Sequence, residues 1–340
     1  MKRKWILPAL FFLVLFQWAC TTDFSKDNPT LTKNALGMNT LIQISIYDEE
    51  IDEQILDEAF DYALELENRL SRYVPDSDIA KINGSAGVGY VQVQAETVDL
   101  IEKCMDYSEQ TEGAFDITLG ALTDLWGIAV GKNHIATQEE IDEALRHVGY
   151  ENILINRDDN AIMLAKQGVI LDLGAVGKGY ISEKVREFLL EKGVERAIIN
   201  FGGNIVLIGK NKNDKPFRVG IQEPFNDRGE YLAVVSSEKT ALVSSGSYER
   251  NFRGDDGTLY HHIMNPFDGR PVQNGLSQVT IVCDDATRAD ILSTAVFVMG
   301  VERGLAYIEQ LDDVQAVLVT DEKKVIVTDG LKDNLELLKK

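Results

Sequence analysis

Leu171-Asp172-Leu173-Gly174-Ala175-Val176-Gly177-Lys178-Gly179-Tyr180 is the stretch on which the reading of this chain turns. The apolar run Gly168-Val169-Ile170-Leu171 that feeds it reads as a strand, and beyond it the apolar spacing becomes helical. Strand, glycine-rich bend and helix in that order bring backbone N–H groups and a helix N-terminus close to a phosphate at the bend. The spacing is not GxxxxGK[ST], because no Ser or Thr follows Lys178, and it is not GxGxxG. By itself the bend points to a phosphorylated ligand and not to a particular one.

Toward the N-terminus, residues 152–164 read as a hairpin turning at Asp158-Asp159-Asn160. Thr137 with Glu140 forms a capping box, and the helix it opens is expected to stop around Gly149. Residues 97–110 carry a helical period, and Ile51, Ile55, Ala59, Ala63, Leu66 and Leu70 carry a stronger one. Residues 41–47 alternate as a strand. Toward the C-terminus, the helix after the bend is expected to reach about Gly193, with strands at 196–200 and 205–208 flanking Gly202-Gly203. Short strands dominate 204–285, helices fill 286–312, and a hairpin closes near 321–324. Strands and helices mix without strict alternation, so the expected fold class is α+β, with mixed sheets and packed helices.

The 340 residues suffice for one large domain, and 44% apolar with 26% charged residues is ordinary for a globular protein. The 34 Lys and Arg against 55 Asp and Glu leave a net charge of −21, which argues against an extended nucleic-acid surface. An anionic ligand therefore needs local help from a metal ion, glycine N–H groups or a placed lysine. Lys2, Arg3 and Lys4 precede an apolar stretch, 6–16, that is too short to span a membrane comfortably. Gln17-Trp18-Ala19-Cys20 follows and resembles a bacterial lipoprotein cleavage site, with Cys20 as the lipidated first residue and Gln17 where Leu is usual. A plain secretory signal is the alternative. Residues 21–35 are expected to form a flexible tether and 36–335 a single domain. Cys104 and Cys283 lie in apolar contexts and read as buried free thiols.

Four constellations carry chemistry. Gly113-Ala114-Phe115-Asp116-Ile117-Thr118 can present Asp116 and Thr118 to a ligand beside an apolar wall, or can start a helix with Phe115 and Trp126 in the core. Val243-Ser244-Ser245-Gly246 offers hydroxyls and a glycine to phosphate oxygens, although polar turns of this kind are common. His261 and His262 face opposite sides of a strand, so they do not chelate one metal, but one of them can accept a proton at a site. Asp290 and Thr294 fall four apart on an expected helix and share a face. Such hard oxygens suit Mg²⁺ with phosphate and water, or equally a surface acid and a back-bonded threonine.

Together and in this order the motifs resemble the ApbE-type flavin transferases (FAD:protein FMN transferases). The similarity runs from about Met38 to about Gly300. It rests on Gly37-Met38-Asn39-Thr40, Leu70-Ser71-Arg72-Tyr73 with Ser77 and Asn83, Gly113-Ala114-Phe115-Asp116 and the glycine bend. Asn200-Phe201-Gly202-Gly203, Ser244-Ser245-Gly246, His262-Ile263-Met264-Asn265-Pro266 with Gly269, and Ala289-Asp290 with Ser293-Thr294 complete it. The resemblance implies an ApbE-like, T-fold-like domain that binds FAD and Mg²⁺ and moves the FMN moiety to a threonine of a partner, releasing AMP. By matching position, Met38, Tyr73, Ala114, Phe115, Asp116, Asp172, Lys178 and Ile263 would contact FAD. The Ala175 carbonyl, Asp290 and Thr294 would hold the metal, with Ser293 adjacent. Asn39 stands where Gly is usual, Ser244 where Thr is, and Asn265 where Asp is.

A threonine hydroxyl is a weak nucleophile, so a base should lie nearby, with His262 and Asp116 as candidates. The implied acceptors are threonine-bearing flavoproteins of membrane electron-transfer complexes of the Nqr and Rnf types. An enzyme anchored through Cys20 would meet them in the cell envelope, facing the periplasm or exterior. Hydrolysis of FAD to FMN and AMP, and a non-catalytic FAD-binding lipoprotein, are the alternatives.

Overall fold

The structure is a computed structural model that describes residues 28–338 apart from 228, 238 and 239. The expected leader, Cys20 and the first part of the expected tether lie outside the described residues. A hairpin opens the chain: β1 (Leu31–Gly37) and β2 (Thr40–Ile46). Residues 31–35, expected as tether, are therefore the start of the first strand. The polar run Thr32-Lys33-Asn34 hides the apolar alternation by which strands are read, and an edge strand with one covered face needs little of it.

The helices α1 (Gln54–Leu70) and α2 (Asp78–Gly84) precede the two-residue strand β3 (Val91–Gln92). Next come α3 (Ala95–Gln110), α4 (Gly120–Trp126) and α5 (Gln138–Leu145). α1 buries Ile55, Leu56, Ala59, Ala63, Leu66 and Leu70, the stripe its spacing requires. The Thr137–Glu140 capping box forms in both directions, although α5 ends at Leu145, short of Gly149. β4 (Ile153–Asn156) and β5 (Ala161–Leu164) make the expected hairpin. α6 (Gly177–Glu191) leaves the glycine bend.

Beyond it lie β6 (Ala197–Phe201), β7 (Asn204–Ile208), β8 (Phe217–Gln222), β9 (Tyr231–Ser237) and β10 (Ala241–Gly246). The small hairpin β11 (Asn251–Arg253) with β12 (Leu259–His261) leads to β13 (Leu276–Cys283) and α7 (Ala286–Ile308). β14 (Gln315–Thr320), β15 (Val325–Val327) and β16 (Leu335–Leu337) close the chain.

Eight strands form one sheet in the order β1-β2-β6-β7-β10-β13-β14-β15, and each neighbouring pair is antiparallel. α1, α6 and α7 cover one face of it, and the three-stranded sheet β16-β9-β8 covers part of the other. β13 lies between both covers and buries all eight of its residues, so it reads as an apolar run with little alternation. α7 is long and apolar enough to cross a membrane by length and composition. Its Ala289, Ile291, Leu292, Ala295, Val296 and Phe297 are instead buried in the domain core. Gly300, at φ +81°, breaks the helix, and Asn274 Nδ2 donates to the freed Phe297 carbonyl at 2.7 Å. Cys104 and Cys283 are buried free thiols, as expected.

The strand register decides where a ligand can sit. Ile42 pairs with Phe201, Leu242 with Ile205, and Gly246 with Gln278. The β1–β2 tip, the Gly202-Gly203 turn and the end of β10 therefore share one end of the sheet. α6 runs away from that end, because its C-terminus feeds β6 at the other. The glycine bend, the N-terminus of α6 and three strand ends consequently come together.

Candidate functional site

Gly179 lets the first turn of α6 pass directly over α7. A Cβ there would stand 2.4 Å from the Ala286 carbonyl oxygen and 2.5 Å from Asp290 Cβ. At this crossing Gly179 N donates to Asp290 Oδ2 at 2.8 Å, and Lys178 Nζ lies 3.8 Å from Oδ1. A carboxylate is favoured at a helix N-terminus, and here it is only 2% exposed. One turn along α7, Ser293 Oγ and Thr294 Oγ1 lie 2.8 and 3.4 Å from Ser245 Oγ of β10. Ser293 also donates to the Asp290 carbonyl at 2.9 Å. Ser244 points to the opposite face and pairs with Thr280 Oγ1 at 2.8 Å, so Ser245 is the serine of the site.

Ala175 lies in the bend two residues before α6. Asp172 is held there from several sides: Oδ1 accepts Gly174 N at 2.9 Å, and Oδ2 accepts Thr123 Oγ1 at 3.0 Å. Its own N–H donates to the Ile117 carbonyl at 2.8 Å, which ties the bend to the 113–118 motif. Asn83 fixes the strand side of the bend, accepting Leu171 N at 2.7 Å and donating to the Leu171 carbonyl at 3.0 Å.

The 113–118 motif is more structural than expected. The Phe115 ring is enclosed in the core, as is Trp126, so it offers no wall to a ligand, and Ala114 is equally buried. Asp116 Oδ1 accepts both the N–H and the hydroxyl of Thr118 at 2.7 Å, while Oδ2 accepts Tyr150 N at 3.0 Å. Burial raises its pKa, opposed by the Thr118 and Tyr150 bonds. As placed, Asp116 braces two segments, and both oxygens are already engaged, which weighs against a role as base.

The two histidines divide as a strand requires. His261 is buried, 2.7 Å through Nε2 from the Val272 carbonyl and edge-on to Phe297. His262 places Nδ1 3.3 Å from the Arg250 carbonyl. That partner makes Nδ1 the protonated nitrogen and leaves the Nε2 lone pair free. Burial, with the charges of His261, Arg250 and Lys178 adding to it, holds the His262 pKa down to about 3. Ile263 is buried, and its carbonyl accepts Val272 N at 3.0 Å.

At the β1–β2 tip Met38 and Asn39 have φ of 49° and 54°, the paired left-handed geometry of a tight hairpin turn. Asn tolerates this conformation, which accounts for its standing in for Gly. Met38 N donates to Glu67 Oε1 at 2.8 Å. Tyr73 stands out at 59% exposed.

Among the described residues no three His, Cys, Asp or Glu side chains converge on one point. A divalent cation at Asp290 would therefore have at most two such side chains, with hydroxyls, a backbone carbonyl, phosphate and water making up the rest. That hard-oxygen set fits Mg²⁺, which would share the Asp290 carboxylate with the Lys178 ammonium near Oδ1. Lys178, Asp290, Ser293 and Thr294 are brought together; Asp116 is tied to a separate brace. The site also uses Ser245, Thr123 and Asn83. Their partners lie 48, 49 and 88 residues away, distances over which residue spacing says nothing.

A glycine-bend helix terminus beside a lysine and a row of hydroxyls offers the kinds of donor a phosphorylated ligand needs. The family model that matches the chain, the ApbE family, covers residues 38–318, and the chain belongs to that family. It is 30% identical to an FAD:protein FMN transferase of Klebsiella pneumoniae over 89% of this chain and 93% of that one. It is also 30% identical to one of Treponema pallidum, over 89% and 88%. Among solved structures, the ApbE protein of Thermotoga maritima superposes with a TM-score of 0.83 at 30% identity, over 89% of this chain and 98% of that one. The flavin transferase ApbE of Vibrio cholerae does so with 0.79 at 27%, over the same shares.

Proposed function

We propose that this chain is an FAD:protein FMN transferase that uses Mg²⁺ and places FMN on a threonine hydroxyl of an acceptor flavoprotein. The observation that carries the reading is the α6 N-terminus and Lys178 gathered on the Asp290 carboxylate, with the Ser245, Ser293 and Thr294 hydroxyls clustered one turn along α7. The threonine Oγ bonds to the FMN phosphorus, the bond from that phosphorus to the AMP oxygen breaks, and AMP leaves with the electron pair.

Asp290, Thr294 and the Ala175 carbonyl would hold the cation, which when bound neutralises charge on the diphosphate and the departing phosphate. Lys178 and the N–H groups of the bend supply fixed donors to the phosphoryl oxygens. His262, whose Nδ1 is tied to the Arg250 carbonyl, leaves Nε2 to take the threonine proton. The acceptors are membrane subunits of Nqr- or Rnf-type complexes, reached in the cell envelope by an enzyme anchored at Cys20.

Full-length protein in detergent, FAD, Mg²⁺ and a threonine-bearing acceptor domain test this. Transfer gives AMP together with flavin fluorescence that stays on the denatured acceptor. AMP with only free FMN would make the protein a diphosphatase instead.

A further inference from the structure

We propose that Arg72 is a positioning residue that holds Tyr73 and Asp172 together as one FAD-binding unit; this rests on reading the site as an FAD site. Three segments meet on its guanidinium. Nη2 donates to Asp124 of α4, Nη1 stands 3.5 Å from Asp172 Oδ2 in the glycine bend, and the guanidinium carbon lies 4.9 Å from the Tyr73 ring centroid. The Arg72 side chain is 8% exposed, whereas Asp124 and Tyr73 are more than half exposed. Arg72 is therefore the inner member of the group and Tyr73 the face it presents.

Gly120 leaves the room this needs: a Cβ there would stand 2.6 Å from Nη1. Enclosing a guanidinium is unfavourable unless its donors are matched, and Nη1 is buried without a hydrogen bond. Nη1 thus has the Asp172 carboxylate as its ion-pair neighbour and no hydrogen bond of its own. Only arginine can stack on a ring while reaching two carboxylates; a lysine keeps the charge and loses the fork and the stack.

Arg72→Lys and Arg72→Ala are compared with the unsubstituted enzyme for FAD Kd by equilibrium dialysis, acceptor KM and Tm. Both substitutions are expected to raise the FAD Kd about tenfold or more while leaving acceptor KM unchanged. Millimolar guanidinium, far below denaturing concentrations, is expected to recover FAD affinity in Arg72→Ala. FAD Kd unchanged in Arg72→Lys with a lowered Tm would make the residue purely structural and overturn the inference. A rise in acceptor KM with FAD Kd unchanged would overturn it too. Unsubstituted enzyme that binds FAD but flavinylates nothing would contradict the proposed function alone, because the Kd comparison does not depend on transfer.

Discussion

His262 keeps its ring neutral at neutral pH, because burial holds its pKa near 3 instead of the ordinary 6.5. Replacing it with Ala is expected to lower kcat about 10²–10⁴-fold with little change in the KM for FAD, in steady-state AMP release. The acid limb of kcat/KM should then show no inflection near pH 6.5. The same depression bears on folding. Below pH 6.5 the unfolded chain takes up a proton that the folded site refuses, so stability is full above 6.5 and is lost as pH falls toward 3. His261, also depressed by burial, adds in the same direction. Urea midpoints measured between pH 4 and 7 should therefore rise with pH. The thiols behave oppositely: burial pushes Cys283 up to about 11 and raises Cys104 as well. Neither should be alkylated by iodoacetamide in the folded protein at pH 8, and both should be after unfolding.

The α6–α7 crossing is the element on which the site depends. Gly179→Ala would place a methyl against the Ala286 carbonyl and Asp290 Cβ, neither of which is a flexible side-chain end. We expect about 1–3 kcal/mol of lost stability by chemical denaturation and a parallel loss of activity, since separating the helices pulls Asp290 from Gly179 N. Much of this level was legible in advance. The stripe of α1, the Thr137 capping box, the β4–β5 hairpin and the extent of α6 follow from local spacing, and the structure has all of them. β1 was hidden because its polar middle gives no alternation. The Asp116-Ile117-Thr118 brace carries a local signal after all. An Asp accepting from the N–H two residues on is a turn signature, and it favours the structural reading.

At the scale of the whole molecule, the order of motifs pointed to the family, but the joinery of the candidate site came from pairings across the sheet. Ser245 could not be preferred to Ser244 until the strand faces were known, since one meets α7 and the other Thr280. The cover β16-β9-β8 is equally unreadable locally, because Leu335 pairs with Val235 across a hundred residues of chain. With a net charge of −21 and no cluster of three ligating side chains among the described residues, a cation bound at Asp290 would be open to chelation. Chelation with EDTA should abolish AMP release, and added Mg²⁺ should restore it.

The most direct test is the intact mass of the denatured acceptor after incubation with FAD, Mg²⁺ and either unsubstituted enzyme or Asp290→Ala. The account predicts a gain of one FMN less one water with the former, matched by AMP, and no gain with the latter. An unchanged acceptor mass while FAD is consumed, or full transfer by Asp290→Ala, would contradict it.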